Sequence, residues 1–221
     1  LTLNGGAGWG AGPVLGGRQT GAIAISGPGQ AAVSSARVLD TSRSFTVSVW
    51  LRPAAWGQSG TAVSEPGPDG SSFSLGIHTL AVRRPAPSAA PSGLGPAPPI
   101  AAARWTFVVP GSSSCTSAQC GVEANLRYGD GRFQPRPGAW HQVTGVYDDG
   151  TQSIALYVDG ELQDVEHVFG IPPAQGPLTV GQGSGDYAPT DFFDGAIGEL
   201  RVYSRALNAA QVWQLYRAQT L

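Results

Sequence analysis

Between residues 139 and 160 the chain reads AWHQVTGVYDDGTQSIALYVDG, and its apolar positions recur at every second residue. Ile154, Leu156 and Val158 alternate with Ser153, Ala155 and Tyr157, the period of a strand with one buried face. Asp149-Gly150 and Asp159-Gly160 supply residues that accept positive φ, so the pattern predicts a hairpin closed by a second tight turn. Upstream, Phe45, Val47, Val49 and Leu51 alternate with Thr46, Ser48, Trp50 and Arg52 before Pro53 ends the run, which places one side of that strand in a core.

Further strands are expected at 71–82, 103–109, 126–133 and 177–183, and as two short pieces around the Gly-Pro-Gly turn within 21–35. The first twenty residues alternate small side chains with Gly and offer only a short strand-like patch at Leu1 to Leu3. Asp-Gly recurs at 69, 130, 149, 159 and 194, a spacing that punctuates an antiparallel sandwich. One helix is predicted at the end of the chain. Asn208 stands at its N-cap with Gln211 at the third helical position, Leu207 is placed to staple onto Val212, and Val212, Leu215 and Tyr216 form its apolar stripe.

Three blocks resemble a known family. Trp140-His141-Gln142-Val143 with Gly145-Val146-Tyr147-Asp148 and Leu156-Tyr157-Val158-Asp159-Gly160, SRSFTVSVWLRP at 42–53, and DFFDGAIGELRVYSRAL at 191–207 are similar to laminin-G-like, concanavalin A-type domains of secreted bacterial proteins. The resemblance runs from about residue 20 to the end and is weakest between 57 and 125. It implies an all-β fold, a two-sheet antiparallel jelly-roll sandwich of the concanavalin A-like lectin/glucanase type, with a short C-terminal helix. It implies no single function, because the fold carries lectins, adhesion modules, glycan hydrolases and spacers.

Composition narrows the choice. The length of 221 residues suits one domain spanning 1–221, with a proline-rich loop inserted near 83–103. Six prolines between residues 85 and 99 exclude a central strand or helix there; the loop is either functional or a tolerated surface insertion. A net charge of −2 with a single adjacent basic pair, Arg83-Arg84, gives no footprint for nucleic acid. All 13 basic residues are Arg, which excludes a phosphate-loop lysine, a Schiff-base lysine and a lysine general base. No apolar run approaches the roughly 18 residues of a membrane span. Without any Met, the chain is expected to be a processed product or a piece of a longer protein, with any signal peptide outside it.

Cys115 and Cys120 sit in a polar loop, GSSSCTSAQCGV. A small-loop disulfide is the simplest reading, and it implies an oxidising compartment and export. A metal or redox site is the alternative, and zinc would need two further Cys or His ligands nearby.

Catalytic signals are few. ELQDVE at 161–166 holds acids as glycan hydrolases of this shape do, but Glu161 and Asp164 are three residues apart and on a regular strand face opposite sides. His78, His141 and His167 are single, and no nucleophile elbow or phosphate cradle is present. A binding module requires less: exposed aromatics to stack on sugar C–H faces, with amides and acids for the hydroxyls. GQGSGDYAPTDFFDG at 181–195 offers Gln182, Asp186, Tyr187, Asp191 and Phe192; a second loop offers Trp56, Gln58 and Asp69.

The resemblance also implies calcium, a hard cation held by carboxylates and carbonyls. The chain departs from that pattern at Ser26-Gly27 and Gln30, where relatives carry acids, and at Gly198 before Glu199, where they read Asp-Glu, so a calcium site would draw on Asp186, Asp191, Asp194 or Glu199 with backbone oxygens. The expectation is a secreted, noncatalytic domain of a larger protein whose partner is a glycan or a cell-surface protein. A spacer without a small ligand is the alternative, and a glycan hydrolase with dispersed acids is third.

Overall fold

The structure is a computed structural model that describes residues 1–68, 70–82, 100–110, 119–123, 133–183 and 191–220. In chain order the strands are β1 (Thr2–Asn4), β2 (Gly8–Leu15), β3 (Arg18–Ile25), β4 (Ala31–Val33), β5 (Phe45–Pro53), β6 (Gly60–Gly67), β7 (Gly70–Val82), β8 (Ile100–Pro110), β9 (Gln119–Glu123), β10 (His141–Asp148), β11 (Ser153–Val158), β12 (Glu161–His167), β13 (Thr179–Val180) and β14 (Gly195–Tyr203), followed by α1 (Ala209–Thr220). They form two antiparallel sheets, ordered β1-β4-β13-β6-β7-β8-β9 and β12-β11-β10-β5-β14-β3-β2. This is the concanavalin A-like jelly-roll sandwich that the resemblance implied.

The core lies between the sheets. Phe45, Val47, Val49 and Leu51 from β5 and Ile154, Leu156 and Val158 from β11 meet Phe73, Leu75, Trp105 and Phe107 from the opposite sheet. The predicted alternation therefore holds on the core side. On the other side of β5, Thr46, Ser48 and Trp50 are also buried, because α1 and the segment leading to it cover that face. Thr46 Oγ1 donates to the Arg205 carbonyl at 2.9 Å and accepts from Leu207 N at 3.0 Å. Trp50 Nε1 and Gln142 Nε2 both donate to Gln219 Oε1, and Trp50 stacks on Tyr216. The helix begins as predicted, with reciprocal 3.0 Å bonds between Asn208 and Gln211, and Leu207 and Val212 share a small apolar cluster with Val146 and Tyr157.

Several expectations change. The two strands within 21–35 are no hairpin: β3 belongs to one sheet and β4 to the other, so the Gly-Pro-Gly turn carries the chain across the sandwich. The first hairpin turn is a four-residue loop, 149–152, with positive φ at Gln152 rather than Gly150; the second is a two-residue turn with positive φ at both Asp159 and Gly160. The N-terminal region expected to hold one short patch holds β1 and the eight-residue β2. The strand expected over 177–183 is only β13. Of the proline-rich insertion, residues 100–103 belong to β8 and 83–99 lie outside the described residues. The expected strand at 126–133 falls mostly outside them too, as does Cys115 and with it the disulfide.

β12 corrects the reading of its acids. Leu156 pairs with Asp164 but Tyr157 pairs with Leu162, so Gln163 is an extra, bulged residue. The bulge turns Glu161, Asp164 and Glu166 to one face, opposite Val158, Leu156 and Ile154. They do not face opposite sides. That is the face Ile154, Leu156 and Val158 turn to the core, although at this sheet edge Glu161 stays exposed and Asp164 and Glu166 half-buried, and Glu161 and Glu166 both have partners. A bulge and inward-directed charges on an edge strand are devices that prevent a further strand from pairing there.

Candidate functional site

One end of the sandwich gathers the returning segment before β14 and the Trp56–Gln58 part of the second loop; that loop is not one unit as read, because β6 carries the chain from Gln58 to the 67–70 hairpin at the other end. β5 ends and β6 begins there, so residues 54–59 cap it, and β13 runs into the segment that returns to β14. The two are tied by backbone complementarity. Gln58 Nε2 donates to the Asp194 carbonyl at 2.8 Å while Gln58 Oε1 accepts from Asp194 N at 2.9 Å, and Ala54 N donates to the same Asp194 carbonyl at 2.9 Å. Thr61 Oγ1 donates to Asp191 Oδ2 at 2.7 Å, and Phe192 bridges to both Thr61 and Gln182. Gly60 permits this approach, since a Cβ there would lie 2.1 Å from the Phe192 carbonyl oxygen.

The expected ligand residues thus divide. Gln58 and Asp191 spend their polar groups inside the protein, Phe192 packs partly on the core, and Gln182 is half-buried beside it with its carbonyl accepting from Ser64 Oγ. Trp56 is different: its side chain stands 68% exposed at the tip of the clamped loop. Asp69, Asp186 and Tyr187 lie outside the described residues. Gln58→Ala removes both arms of the clamp and is expected to lower stability by about 1–2 kcal/mol, measured as a fall in the urea midpoint; an unchanged midpoint would show that the loop is held by other means.

Of the expected calcium ligands Asp186 lies outside the described residues, and Asp191, Asp194 and Glu199 do not come together within them. Glu199 sits on β14 at a positive φ of 48°, five residues along from Asp194, where Arg201 pairs with it at 3.2 Å. Asp191 is occupied by Thr61, and among the described residues no three His, Cys, Asp or Glu side chains come together as a metal would need. No step is therefore assigned to calcium.

At this end His141, read as a packing or edge residue, and Arg52 have partners that the sequence did not show. His141, buried at the start of β10, places Nδ1 2.8 Å from Asp159 Oδ2, while Gln142 N donates to Asp159 Oδ1 at 2.9 Å. Its ring packs on Trp105 with centroids 5.8 Å apart. His141 Nε2 and Trp105 Nε1 are buried and unpartnered, and the His141–Asp159 bond braces the 159–160 turn. The second of the two is Arg52, whose Cζ lies 5.0 Å from the Trp140 ring centroid, a cation–π contact on the outer face. Arg52 was legible as outward-facing from the β5 alternation; its partner, 88 residues away, was not.

The fold is shared with known proteins. Residues 111–213 match the family model described as the Concanavalin A-like lectin/glucanases superfamily. No curated protein matches the chain in sequence. Among solved structures, a heptameric SAP-like pentraxin from Limulus polyphemus superposes with a TM-score of 0.57 at 16% identity, over 81% of this chain and 72% of that one. Domain 4 of AbnA, a GH43 extracellular arabinanase from Geobacillus stearothermophilus solved with arabinotriose, gives 0.55 at 18%, over 96% and 82%. The binding domain of Paraclostridial Mosquitocidal Protein 1 gives 0.63 at 14%, over 97% of this chain but 46% of that one. At such identities the likeness establishes fold alone.

Proposed function

We propose that this chain is a noncatalytic, extracellular glycan-binding module of a larger protein, with its site at the end of the sandwich that carries Trp56. The observation that carries the reading is an exposed indole on a loop fixed at both ends: Ala54 and Gln58 are each bonded to Asp194, and Trp56 stands free between them. A stacking aromatic held on a rigid loop loses little freedom on binding, which favours affinity. The likeness to an arabinanase domain solved with arabinotriose is compatible with this role. The acids of β12 do not favour hydrolysis, because they are already engaged: Glu161 and Glu166 have partners and Asp164 Oδ1 accepts from Val165 N at 2.9 Å.

Trp56→Ala is expected to weaken glycan binding at least about tenfold, the scale of one lost stacking contact at roughly 1.4 kcal/mol, with the melting temperature unchanged. A glycan-array screen with added calcium and with a chelator, followed by titration of the variant, measures it. No hit from folded protein in either condition would leave a spacer or protein-adhesion domain. A hit that survives Trp56→Ala would move the site away from this loop.

A further inference from the structure

We infer that the outer face of the second sheet beside Arg52 is a subsite for a sugar carboxylate, so that the recognised glycan contains uronic or sialic acid residues; this rests on the reading of the Trp56 end as a glycan site. Arg52 is half-buried on the strand that leads into the Trp56 loop, and its guanidinium lies over Trp140. The indole holds one face of the group and leaves its N–H edge available. No carboxylate among the described residues pairs with it. A planar fork of donors matches the two oxygens of a carboxylate, a geometry that a lysine does not reproduce.

Beside Arg52 the sheet carries only small side chains, apart from Trp50. In register across it, Arg52 faces Ala196, Ala196 faces Ala24 and Ala24 faces Gly8; in the next row Trp50 is followed by Gly198, Ala22 and Gly10. The glycines at the far edge are not required by crowding. A Cβ at Gly8 would meet nothing within 4 Å, and one at Gly10 only the Ala24 methyl at 3.9 Å, and neither has a positive φ. Ala196, Ala22 and Gly198 are buried and Trp50 lies under α1, so the open part of this face is a shelf of Ala24 and Gly10 with the half-buried Gly8 beside them; there a pyranose ring can lie with its carboxylate directed at Arg52, while a neighbouring ring reaches Trp56.

The test is binding to uronic- and sialic-acid oligosaccharides presented beside their carboxyl-reduced counterparts, for the intact chain and for Arg52→Gln, Arg52→Lys, Ala24→Leu and Trp56→Ala. The expected result is a preference of about tenfold or more for one acidic form, lost in Arg52→Gln, only partly restored in Arg52→Lys, and reduced in Ala24→Leu, which fills the shelf from an exposed position. Equal binding of acidic and reduced forms, still sensitive to Trp56→Ala, would overturn the carboxylate subsite and keep the glycan reading. An acidic preference that survives Arg52→Gln would also overturn it. Binding of neither form would overturn both. Melting temperatures of the variants within about 2 °C of the parent, less than the shift from 1 kcal/mol in a chain of this size, distinguish loss of the subsite from loss of the fold.

Discussion

Phe45→Ala is expected to cost about 3–5 kcal/mol and to lower the melting temperature by roughly 6 to 20 °C. Phe45 belongs to β5, the central strand of one sheet, yet its ring touches partners from both. Its centroid is 5.3 Å from Phe73 and 6.2 Å from Phe107 across the core, and 5.7 Å from Tyr147 on the adjacent strand. All four residues are fully buried, so the rings form one knot that joins the sheets. Truncation removes apolar contact and leaves a cavity whose walls belong to rigid strands, which collapse poorly into it. Phe45→Leu refills most of the volume and should cost about 1.5 kcal/mol or less. Urea unfolding of the two variants checks both values, and a loss under about 1 kcal/mol in Phe45→Ala, below the usual range for such truncations, would show that this knot does not join the sheets.

That knot was visible in the sequence as a set of alternating strands, because one buried face imposes a two-residue period whatever the sheet topology. The residues on the opposite face were not legible in the same way. Thr46, Ser48 and Trp50 look like a solvated strand face, yet α1 covers them. The cover is itself polar at its far end: Gln219 receives Trp50 and Gln142, partners 169 and 77 positions away. Local alternation carries no information about such a lid. The capping box, by contrast, involves residues three apart and was read correctly.

A bulge accounts for the error at β12. One extra residue at Gln163 reverses which side every later acid of β12 occupies, and nothing in ELQDVE distinguishes a bulged strand from a regular one. The site was half legible for a related reason. Turn chemistry identified both loops, but the amides and acids chosen as ligand contacts serve to lock those loops together. A Gln whose two amide atoms meet a backbone N–H and C=O from a segment 136 residues away has the same composition as a free ligand contact. Exposure, which sets Trp56 apart from Phe192, comes only from packing.

Glu65→Ala is expected to cost about 2–4 kcal/mol, and the pH dependence of Glu65→Gln should reveal why. Glu65 lies on β6 at the opposite end of the sandwich from Trp56 and is fully buried. Its Oε1 accepts from Val38 N at 2.6 Å and from Leu39 N at 3.3 Å, anchoring the connection between β4 and β5, while Oε2 is buried without a partner. Burial pushes the carboxyl above the ordinary glutamate value of 4.5, opposed by the two backbone N–H groups and by Arg37. An acid whose folded value is raised stabilises the fold fully below the unfolded value, and that contribution is lost as pH rises through the folded value. The amide of the Glu65→Gln variant would keep the acceptor for Val38 and Leu39 without ionising. Wild type should therefore lose stability relative to Glu65→Gln as pH rises from about 4 to 7, a window that begins at the ordinary glutamate range. Urea unfolding across that window measures the difference. If wild type instead gains on the glutamine variant, the carboxylate is held charged and its second oxygen has a partner, so the orphaned acceptor on which the argument rests does not exist in solution.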